Sequence, residues 1–174
     1  KLEGILEKQA EATPIGIRLD GDNSMDVPGM TAAQLPSRNI TAEAWVSLDE
    51  GIRWGSIIGY YQDNGDYEKG WLLGYNEKNF VLSVSNESKL YTITSRTAFE
   101  KDKWYHVVGT YDGRRQRLYV DGELQAESTT QSGPIDYPPK GVLALGAYED
   151  ENEYYPLTGL LERTSLWHQA LSTK

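Results

Sequence analysis

Short β-forming segments separated by turn residues follow one another along the sequence from residue 15 onward. Segments such as 39–48, 54–61 and 80–85 are rich in Val, Ile, Tyr or Trp, and Gly, Asn, Asp or Pro stand between them. About a dozen strands at this close spacing are typical of an antiparallel sandwich or barrel. The chain has 174 residues and no cysteine, so its core forms without disulfides, and a chain of this length buries enough surface for that.

The first 13 residues have a different pattern. They place apolar side chains at helical spacing among Glu, Lys and Ala, and Pro14 follows them. This predicts a linker or short helix over residues 1–13, leading in from an upstream region, and a sandwich domain over residues 14–174. Because the chain begins with Lys1 and not with Met, we expect it to be part of a longer polypeptide.

The clearest local motif is a β-hairpin over residues 104–122. Two runs of β-forming residues flank the turn at Asp112 and Gly113, and glycine tolerates the positive φ that such turns require. Tyr111 and Tyr119 are expected to pair across the two strands. These residues define an element of the fold and indicate no active site.

Several segments together resemble the laminin-G-like family of concanavalin A-like lectin/glucanase domains. The strongest is the hairpin, which reads WYHVVGTYDG at 104–113 and LYVDG at 118–122. LDG at 19–21, AWV at 44–46 and GLLERTSLWHQALS at 159–172 resemble an early, a middle and the closing segment of the family. The resemblance implies an all-β fold, a concanavalin A-like (laminin-G-like) jelly-roll sandwich of two antiparallel sheets.

Catalysis is not expected. In the laminarinase-type glucanases of this fold, carboxylates alternate along one strand as Glu-x-Asp-x-Glu, because alternate residues share a face. The closest segment, Glu149–Glu153, has Glu where Asp belongs. His106 and His168 are far apart in sequence, and no nucleophile motif accompanies them. We therefore predict no catalytic residues and a structural role for His106.

Charge and hydropathy exclude two kinds of partner. The formal net charge is −9, and such an acidic surface repels phosphate backbones, so nucleic acid is not an expected partner. No apolar stretch is long enough to cross a bilayer, so membrane insertion is not expected either.

The acidic turn after residue 19 raises the question of calcium. Its spacing does not match an EF-hand loop, because Met25 stands where the central Gly belongs and Thr31 where the last Glu belongs. The resemblance implies instead one structural Ca²⁺ near Asp20, Asp22 and Glu162. The family's closing segment usually has Ile-Asp-Glu where this chain has Leu161-Glu162-Arg163, so only one acidic residue remains there.

The aromatic residues divide into core and loop sets. Trp45, Trp71 and Trp104 alternate with other apolar strand residues and are predicted to be buried. Two loop segments, 60–70 and 148–155, mix Tyr with Asp, Asn and Glu, a combination that can stack on a sugar face and accept its hydroxyl protons. The predicted carbohydrate-binding residues are Trp54, Tyr61, Asp66, Tyr67, Glu149, Tyr154 and Tyr155.

The sequence therefore supports three hypotheses about function. The first is a non-catalytic, lectin-like carbohydrate-binding module, joined to other domains of a larger protein that is extracellular, on a cell surface or periplasmic. The second is a protein-interaction, adhesion or spacer module with no glycan ligand, since a fold does not determine a function. The third, and the least favoured, is a divergent glycosidase or lyase.

Overall fold

The protein is an all-β sandwich in a computed structural model, which describes residues 5–6, 11–65 and 67–172. Within these residues the helical structure is a single 3₁₀ turn, Ala32–Gln34, so no helix is long and apolar enough to cross a membrane. The strands are β1 (Ile5–Leu6), β2 (Glu11–Thr13), β3 (Gly16–Asp20), β4 (Met25–Val27), β5 (Ile40–Leu48), β6 (Gly55–Asp63), β7 (Glu68–Tyr75), β8 (Phe80–Asn86), β9 (Lys89–Thr94), β10 (Trp104–Tyr111), β11 (Gln116–Val120), β12 (Glu123–Ser128), β13 (Leu143–Leu145), β14 (Ala147–Glu149), β15 (Tyr154–Pro156) and β16 (Thr158–Trp167).

Two seven-stranded antiparallel sheets form the sandwich. The front sheet has the order β1-β4-β13-β6-β7-β8-β9, and the back sheet has the order β12-β11-β10-β5-β16-β3-β2. A small third sheet pairs β14 with β15. The prediction of an all-β sandwich of two antiparallel sheets is confirmed.

The core lies between the two sheets and follows the period-two alternation of their strands. Val107 and Leu118 of the back sheet and Trp71, Leu73 and Leu82 of the front sheet are at most 1% exposed and belong to one apolar cluster. The sheets approach closely at Gly109, where an added Cβ atom would lie 2.7 Å from a methyl group of Leu82. Any larger residue at that position would have to displace the Leu82 side chain.

Burial of the tryptophans agrees only in part with the prediction. Trp71 is fully buried, as expected. Trp45 is 37% exposed, so its predicted burial is wrong, and Trp104 is only partly buried. The reason is register, because Ala44 and Val46 point into the core and strand neighbours point to opposite faces. Trp45 therefore lies on the outer face of the back sheet.

The β10–β11 hairpin forms where the sequence predicts it. Asp112 Oδ1 accepts the backbone N–H groups of Arg114 and Arg115 at 3.0 and 2.8 Å, and Gly113 has a φ of 82°. The predicted pairing of Tyr111 with Tyr119 is wrong, because Tyr111 pairs with Gln116 and Tyr119 pairs with Val108. The observed register leaves four residues, 112–115, between the paired strand ends, whereas pairing Tyr111 with Tyr119 would leave seven.

Strands replace the expected helix at the described residues near the N-terminus. β1 pairs with β4 in the front sheet, and β2 pairs with β3 in the back sheet. A helix of about a dozen residues is marginal in water on its own, whereas the sheet edges offer partners for the backbone N–H and C=O groups. The helix prediction is therefore wrong at residues 5–6 and 11–13, and the rest of residues 1–10 lies outside the described residues.

The sandwich depends on inward-facing side chains such as Leu73 of β7. We expect Leu73→Ala to lower the free energy of unfolding by about 2–5 kcal/mol, because the fully buried side chain leaves a cavity between the sheets. Leu124→Ala is the matched control, since the same atoms are removed from a side chain that is 41% exposed. Urea denaturation measures both, and equal losses for the two variants would contradict the assignment of the core.

Candidate functional site

The outer face of the front sheet carries a second apolar cluster, separate from the core. Tyr61, Leu72 and Val81 project from β6, β7 and β8 on the side away from the back sheet, and Tyr148 of β14 covers them. The ring centroids of Tyr61 and Tyr148 are 5.7 Å apart in an edge-to-face arrangement, and Tyr155 packs on Tyr148 at the same distance. The central strands of the front sheet are therefore buried on both faces.

A change of chain direction at Gly146 creates this cover. Gly146 has a φ of 76°, in the left-handed region, and an added Cβ atom would overlap Leu19. Its N–H donates to the carbonyl of Ile57 at 2.9 Å, and its own carbonyl accepts the N–H of Leu157 at 2.8 Å. The chain thus leaves the front sheet after β13, forms the β14–β15 hairpin over its outer face, and returns to the back sheet.

A groove with a volume of about 450 Å³ lies beside the hairpin on this outer face. We call it the front groove. Tyr61 and Leu72 line its floor, and Arg53 and Trp54 line one wall. Tyr148 and Glu153 line the hairpin wall, and Asp63 and Glu68 lie at its acidic end. Hydroxyl groups of Ser83 and Thr92, 2.8 Å apart, also reach its floor. The groove combines aromatic surface with polar groups, as ligand sites commonly do.

The two tyrosine-rich loop segments of the sequence meet at the front groove. The N–H of Asp63 donates to Asp150 Oδ2 at 3.3 Å, and the N–H of Glu151 donates to Gln62 Oε1 at 3.4 Å. Segments 60–70 and 148–155 are thus in direct contact, although more than 75 residues separate them in the sequence.

Three of the predicted binding residues lie at the front groove. Trp54 and Tyr61 line it, and Trp54 is 55% exposed. Tyr155 packs against its tyrosine cluster and donates its hydroxyl to Glu153 Oε1 at 3.0 Å. The guanidinium carbon of Arg53 lies 5.2 Å from the centroid of the Trp54 ring, a cation–π contact on the groove wall.

The other predicted residues lie elsewhere. Glu149 and Tyr154 pair with each other on the small sheet, one position along from Tyr148 and Tyr155, so they occupy its opposite face. Tyr67 lies in a neighbouring hollow and contacts the ammonium group of Lys69, 4.9 Å from the ring centroid. Asp66 is outside the described residues.

The lining residues that the sequence did not single out include Arg53, Asp63, Glu68, Tyr148 and Glu153. A signal for two of them exists in the sequence, because the Asn64-Gly65 pair indicates a hairpin turn. In the structure Asp63 and Glu68 pair directly across this turn, which places both carboxylates on the groove side.

Burial and negative charge act together on the groove tyrosines. Burial raises the pKa of the Tyr61 phenol well above its ordinary value, and the carboxylates of Glu68, Asp63 and Asp150 raise it further. The pKa of Tyr148 is raised in the same way, by burial first and then by Asp150. Both phenols therefore stay protonated and neutral in ordinary buffers.

A profile described as the concanavalin A-like lectin/glucanases superfamily matches residues 19–174. The chain belongs to this superfamily. The family that the sequence motifs resemble is thereby confirmed, and the match covers both sheets of the sandwich except for the first strands.

The curated relatives that this chain matches are much longer proteins. It is 28% identical over 153 residues to Pappalysin-1 of Homo sapiens, a match that covers 79% of this chain and 9% of the relative. It is 29% identical over 140 residues to "Sushi, von Willebrand factor type A, EGF and pentraxin domain-containing protein 1" of Rattus norvegicus, covering 76% of this chain and 4% of the relative. The chain thus spans less than a tenth of the length of these relatives.

Solved structures of the same fold include two carbohydrate complexes. Domain 4 of an extracellular GH43 arabinanase from Geobacillus stearothermophilus, in complex with arabinotriose, has a TM-score of 0.73 and 18% identity, covering 98% of this chain and 78% of that one. The CBM40 of the Ruminococcus gnavus IT-sialidase, bound to α2,3-sialyllactose, has a TM-score of 0.75 and 17% identity, covering 94% and 95%. At this level of identity the comparison establishes the fold that this superfamily member shares with them.

The residues predicted to hold calcium do not converge. Asp20 Oδ1 accepts the N–H of Asp22 at 3.1 Å, so these two form a local turn. Asp20 pairs with Thr158, whereas Glu162 is four positions further along β16, about 13 Å away at the usual rise of a strand. No cluster of three or more metal-ligating side chains occurs in the part of the chain that the structure describes. The three residues therefore do not fit one coordination sphere, and the calcium stays a prediction from the sequence.

His106 lies on the outer face of the back sheet, away from the front groove. Its ring stacks on Trp45 with centroids 5.0 Å apart and planes 19° apart, and its Nε2 lies 2.7 Å from Glu43 Oε1. These contacts hold an exposed tryptophan in place and agree with a structural role for the histidine.

The Tyr61 hydroxyl gives a test of the groove's electrostatics. The oxygen is buried and has no hydrogen-bond partner among the described protein groups. We expect the free energy of unfolding of Tyr61→Phe at pH 7 to equal that of the wild type or to exceed it by up to about 1 kcal/mol. The reason is that the substitution removes no hydrogen bond. Tyr155→Phe is the control and should not be stabilised, because that hydroxyl donates to Glu153.

The same variant should change the alkaline stability. A phenol whose pKa is raised in the folded state contributes stability that is complete below its unfolded pKa of about 10 and is lost as the pH rises above it. Urea denaturation between pH 9 and pH 11 should therefore show a shallower fall for Tyr61→Phe than for the wild type. A steeper fall in the variant would contradict the assigned environment.

Proposed function

We propose that this chain is a non-catalytic, lectin-like module that binds a glycan in the front groove. The observation that carries the proposal is the position of the exposed Trp54 ring beside a tyrosine-rich floor and several carboxylates in one cavity. The chain's membership of the concanavalin A-like lectin/glucanases superfamily supports it.

Aromatic surface supplies the apolar half of sugar recognition. A pyranose or furanose ring presents C–H groups on its faces, and these pack on aromatic rings that water would otherwise solvate. Trp54 offers such a ring on the wall, and Arg53 steadies it through its cation–π contact. Leu72 and Tyr61 extend the apolar floor beneath.

Carboxylates and hydroxyls supply the polar half. An ionised carboxylate has about four lone-pair sites, so Glu68 can accept the N–H of Leu90 at 2.9 Å and still accept from sugar hydroxyls. Asp63 and Glu153 offer the same chemistry at the acidic end and the hairpin wall. The Ser83 and Thr92 hydroxyls add groups that donate or accept.

Most of these groups are on or next to strands of the sandwich. Tyr61, Glu68 and Leu72 belong to β6 and β7, which pair along most of their length. A site on such elements is largely preformed, so little conformational entropy is lost when a ligand binds.

The module is proposed to act within a larger secreted or cell-surface protein, or a periplasmic one, beside other domains of the same polypeptide. The much greater length of the relatives supports this context. One structural neighbour, a domain of an extracellular arabinanase, supports the location. The net charge of −9 argues against nucleic acid as a partner.

A protein-interaction role is the second candidate, and one observation favours it. The outer face of the back sheet exposes Trp45 and Leu124, at 37% and 41%, and also carries the partly buried Trp104 and Tyr119. Tryptophan and tyrosine are enriched in protein interfaces. This face is opposite the front groove, so substitutions separate the two functions.

Glycan binding should depend on Trp54. We expect Trp54→Ala to weaken retention on a binding glycan by about thirtyfold, since truncating a central aromatic contact commonly costs about 2 kcal/mol. Glycan-array screening identifies a binding glycan, and affinity electrophoresis or titration calorimetry then compares the variants.

Trp45→Ala is the matched control for this experiment. It removes an equally large and partly exposed ring from the back sheet, so the variant should bind as the wild type does. Loss of binding in Trp45→Ala but not in Trp54→Ala would move the site to the back sheet and refute the proposal.

The groove is expected to bind its glycan without cleaving it. Glu68 accepts the N–H of Leu90 and Asp63 accepts the N–H of Gly65, so both carboxylates stabilise turns and edges of the sheet. The alternating carboxylate motif of the glucanases is absent from the sequence. Incubation with the bound glycan should release no reducing ends or unsaturated products. Turnover that is lost in Glu68→Gln would establish an enzyme instead.

A further inference from the structure

We propose that the front groove selects uncharged glycans and rejects glycans that carry carboxylate or sulfate groups. This inference rests on the proposed function, and it names the chemical class of ligand from the charges that line the groove.

Negative charge dominates the lining. Of the described residues that line the front groove, Asp63, Glu68 and Glu153 carry carboxylates, and Arg53 alone carries a cation. Asp150 adds a fourth carboxylate just behind the hairpin wall, where it accepts the hydroxyl of Tyr148 at 3.2 Å. A ligand anion that enters the groove therefore meets like charges at its acidic end and along its hairpin wall.

Each of these carboxylates is oriented by a hydrogen bond. Glu68 Oε2 accepts the N–H of Leu90, at 2.9 Å. Asp63 Oδ1 accepts the N–H of Gly65, at 3.1 Å. Glu153 Oε1 accepts the hydroxyl of Tyr155, at 3.0 Å. Fixed charges at the wall of a partly enclosed groove produce a stronger field than the same charges on mobile side chains in water.

The single cation does not offset this field. Arg53 lies over the Trp54 ring, and it is one guanidinium among three carboxylates in the described lining of the groove. The field of the carboxylates reaches the floor of the groove, since Glu68, Asp63 and Asp150 all raise the pKa of Tyr61. Selection of an acidic sugar normally uses a bidentate Arg contact in a positive environment, and the front groove has the opposite balance.

The same carboxylates favour neutral sugars. Each hydroxyl of an uncharged glycan can donate a charge-assisted hydrogen bond to a carboxylate, and such bonds are stronger than neutral ones. A carboxylated or sulfated sugar replaces donors by acceptors at these positions. It therefore loses the hydrogen bonds and gains repulsion, which is how a site discriminates against a wrong ligand.

Matched pairs of oligosaccharides test the proposal on the chain as it stands. The probes are tetragalactose and tetragalacturonate, lactose and sialyllactose, and arabinotriose and cellohexaose as further neutral sugars. We expect retention of one or more neutral probes, with the acidic partner of a retained probe bound at least about tenfold more weakly in 20 mM salt. This difference in affinity between neutral and acidic probes, called the gap below, should become smaller in 0.5 M NaCl, where the Debye length falls to about 4 Å.

A charge-neutralising variant isolates the cause. Glu68→Gln keeps an acceptor oxygen for the Leu90 N–H but removes one charge, so it should narrow the gap between neutral and acidic probes by about threefold or more. Glu123→Gln is the control, because it makes the same change in net charge at an exposed position on β12 of the back sheet. It should leave the gap unchanged.

The outcomes separate this inference from the proposed function. An acidic probe that binds as tightly as its neutral partner, or more tightly, overturns charge selection and leaves glycan binding intact. A gap that neither salt nor Glu68→Gln changes also overturns it, because the selection is then not electrostatic. Retention of no probe at all overturns both proposals.

Discussion

Burial of the central front-sheet strands on both faces is the constraint on which the rest of the structure depends. Leu73 faces the back sheet and Leu72, its neighbour on β7, faces outward, yet both are buried. The sandwich explains the first, but only the β14–β15 hairpin and its Tyr148 explain the second. An apolar outer face without that cover would be exposed to water. The front groove exists because the hairpin covers part of this face and leaves the remainder open to a ligand.

Sequence patterns were sufficient for the architecture, and their failures come from register. Strand composition and the hairpin motif predict the two-sheet sandwich, since alternation and turn chemistry are local properties. Trp45 shows the limit of these patterns. A tryptophan within a strand can lie on either face of the sheet, and only the pairing of the strand decides which face it is. Ala44 and Val46 take the core positions, and Trp45 then has to lie outside. The strands near the N-terminus show another limit, since tertiary pairing overrides helical spacing in a short segment.

For the candidate site, the sequence predicted the aromatic and acidic character of the surface better than it predicted the individual residues that line it. Trp54 and Tyr61, which line the groove, stand out in the sequence because they are aromatic residues in or beside polar segments. Asp63 and Glu68 were missed because their proximity depends on pairing across a turn, and Tyr148 and Glu153 because it depends on contact between distant segments. The separation of Asp20 from Glu162 has the same origin, since a motif gives the order of residues but not their offset along a strand.

The hairpin wall at β14 and β15 also bears on how binding in this fold can diversify. A two-stranded sheet is barely stable alone, so its position depends on packing against Tyr61 and on the anchors at Gly146. Its tip, residues 150–153, lies away from the core, with Glu151 and Asn152 exposed to solvent. A longer or shorter tip would raise or lower the hairpin wall of the groove without disturbing either large sheet, since a change in loop length costs little free energy. In the proposed glycan-binding module, insertions or deletions at this tip would therefore change the depth of the groove while both large sheets stay the same.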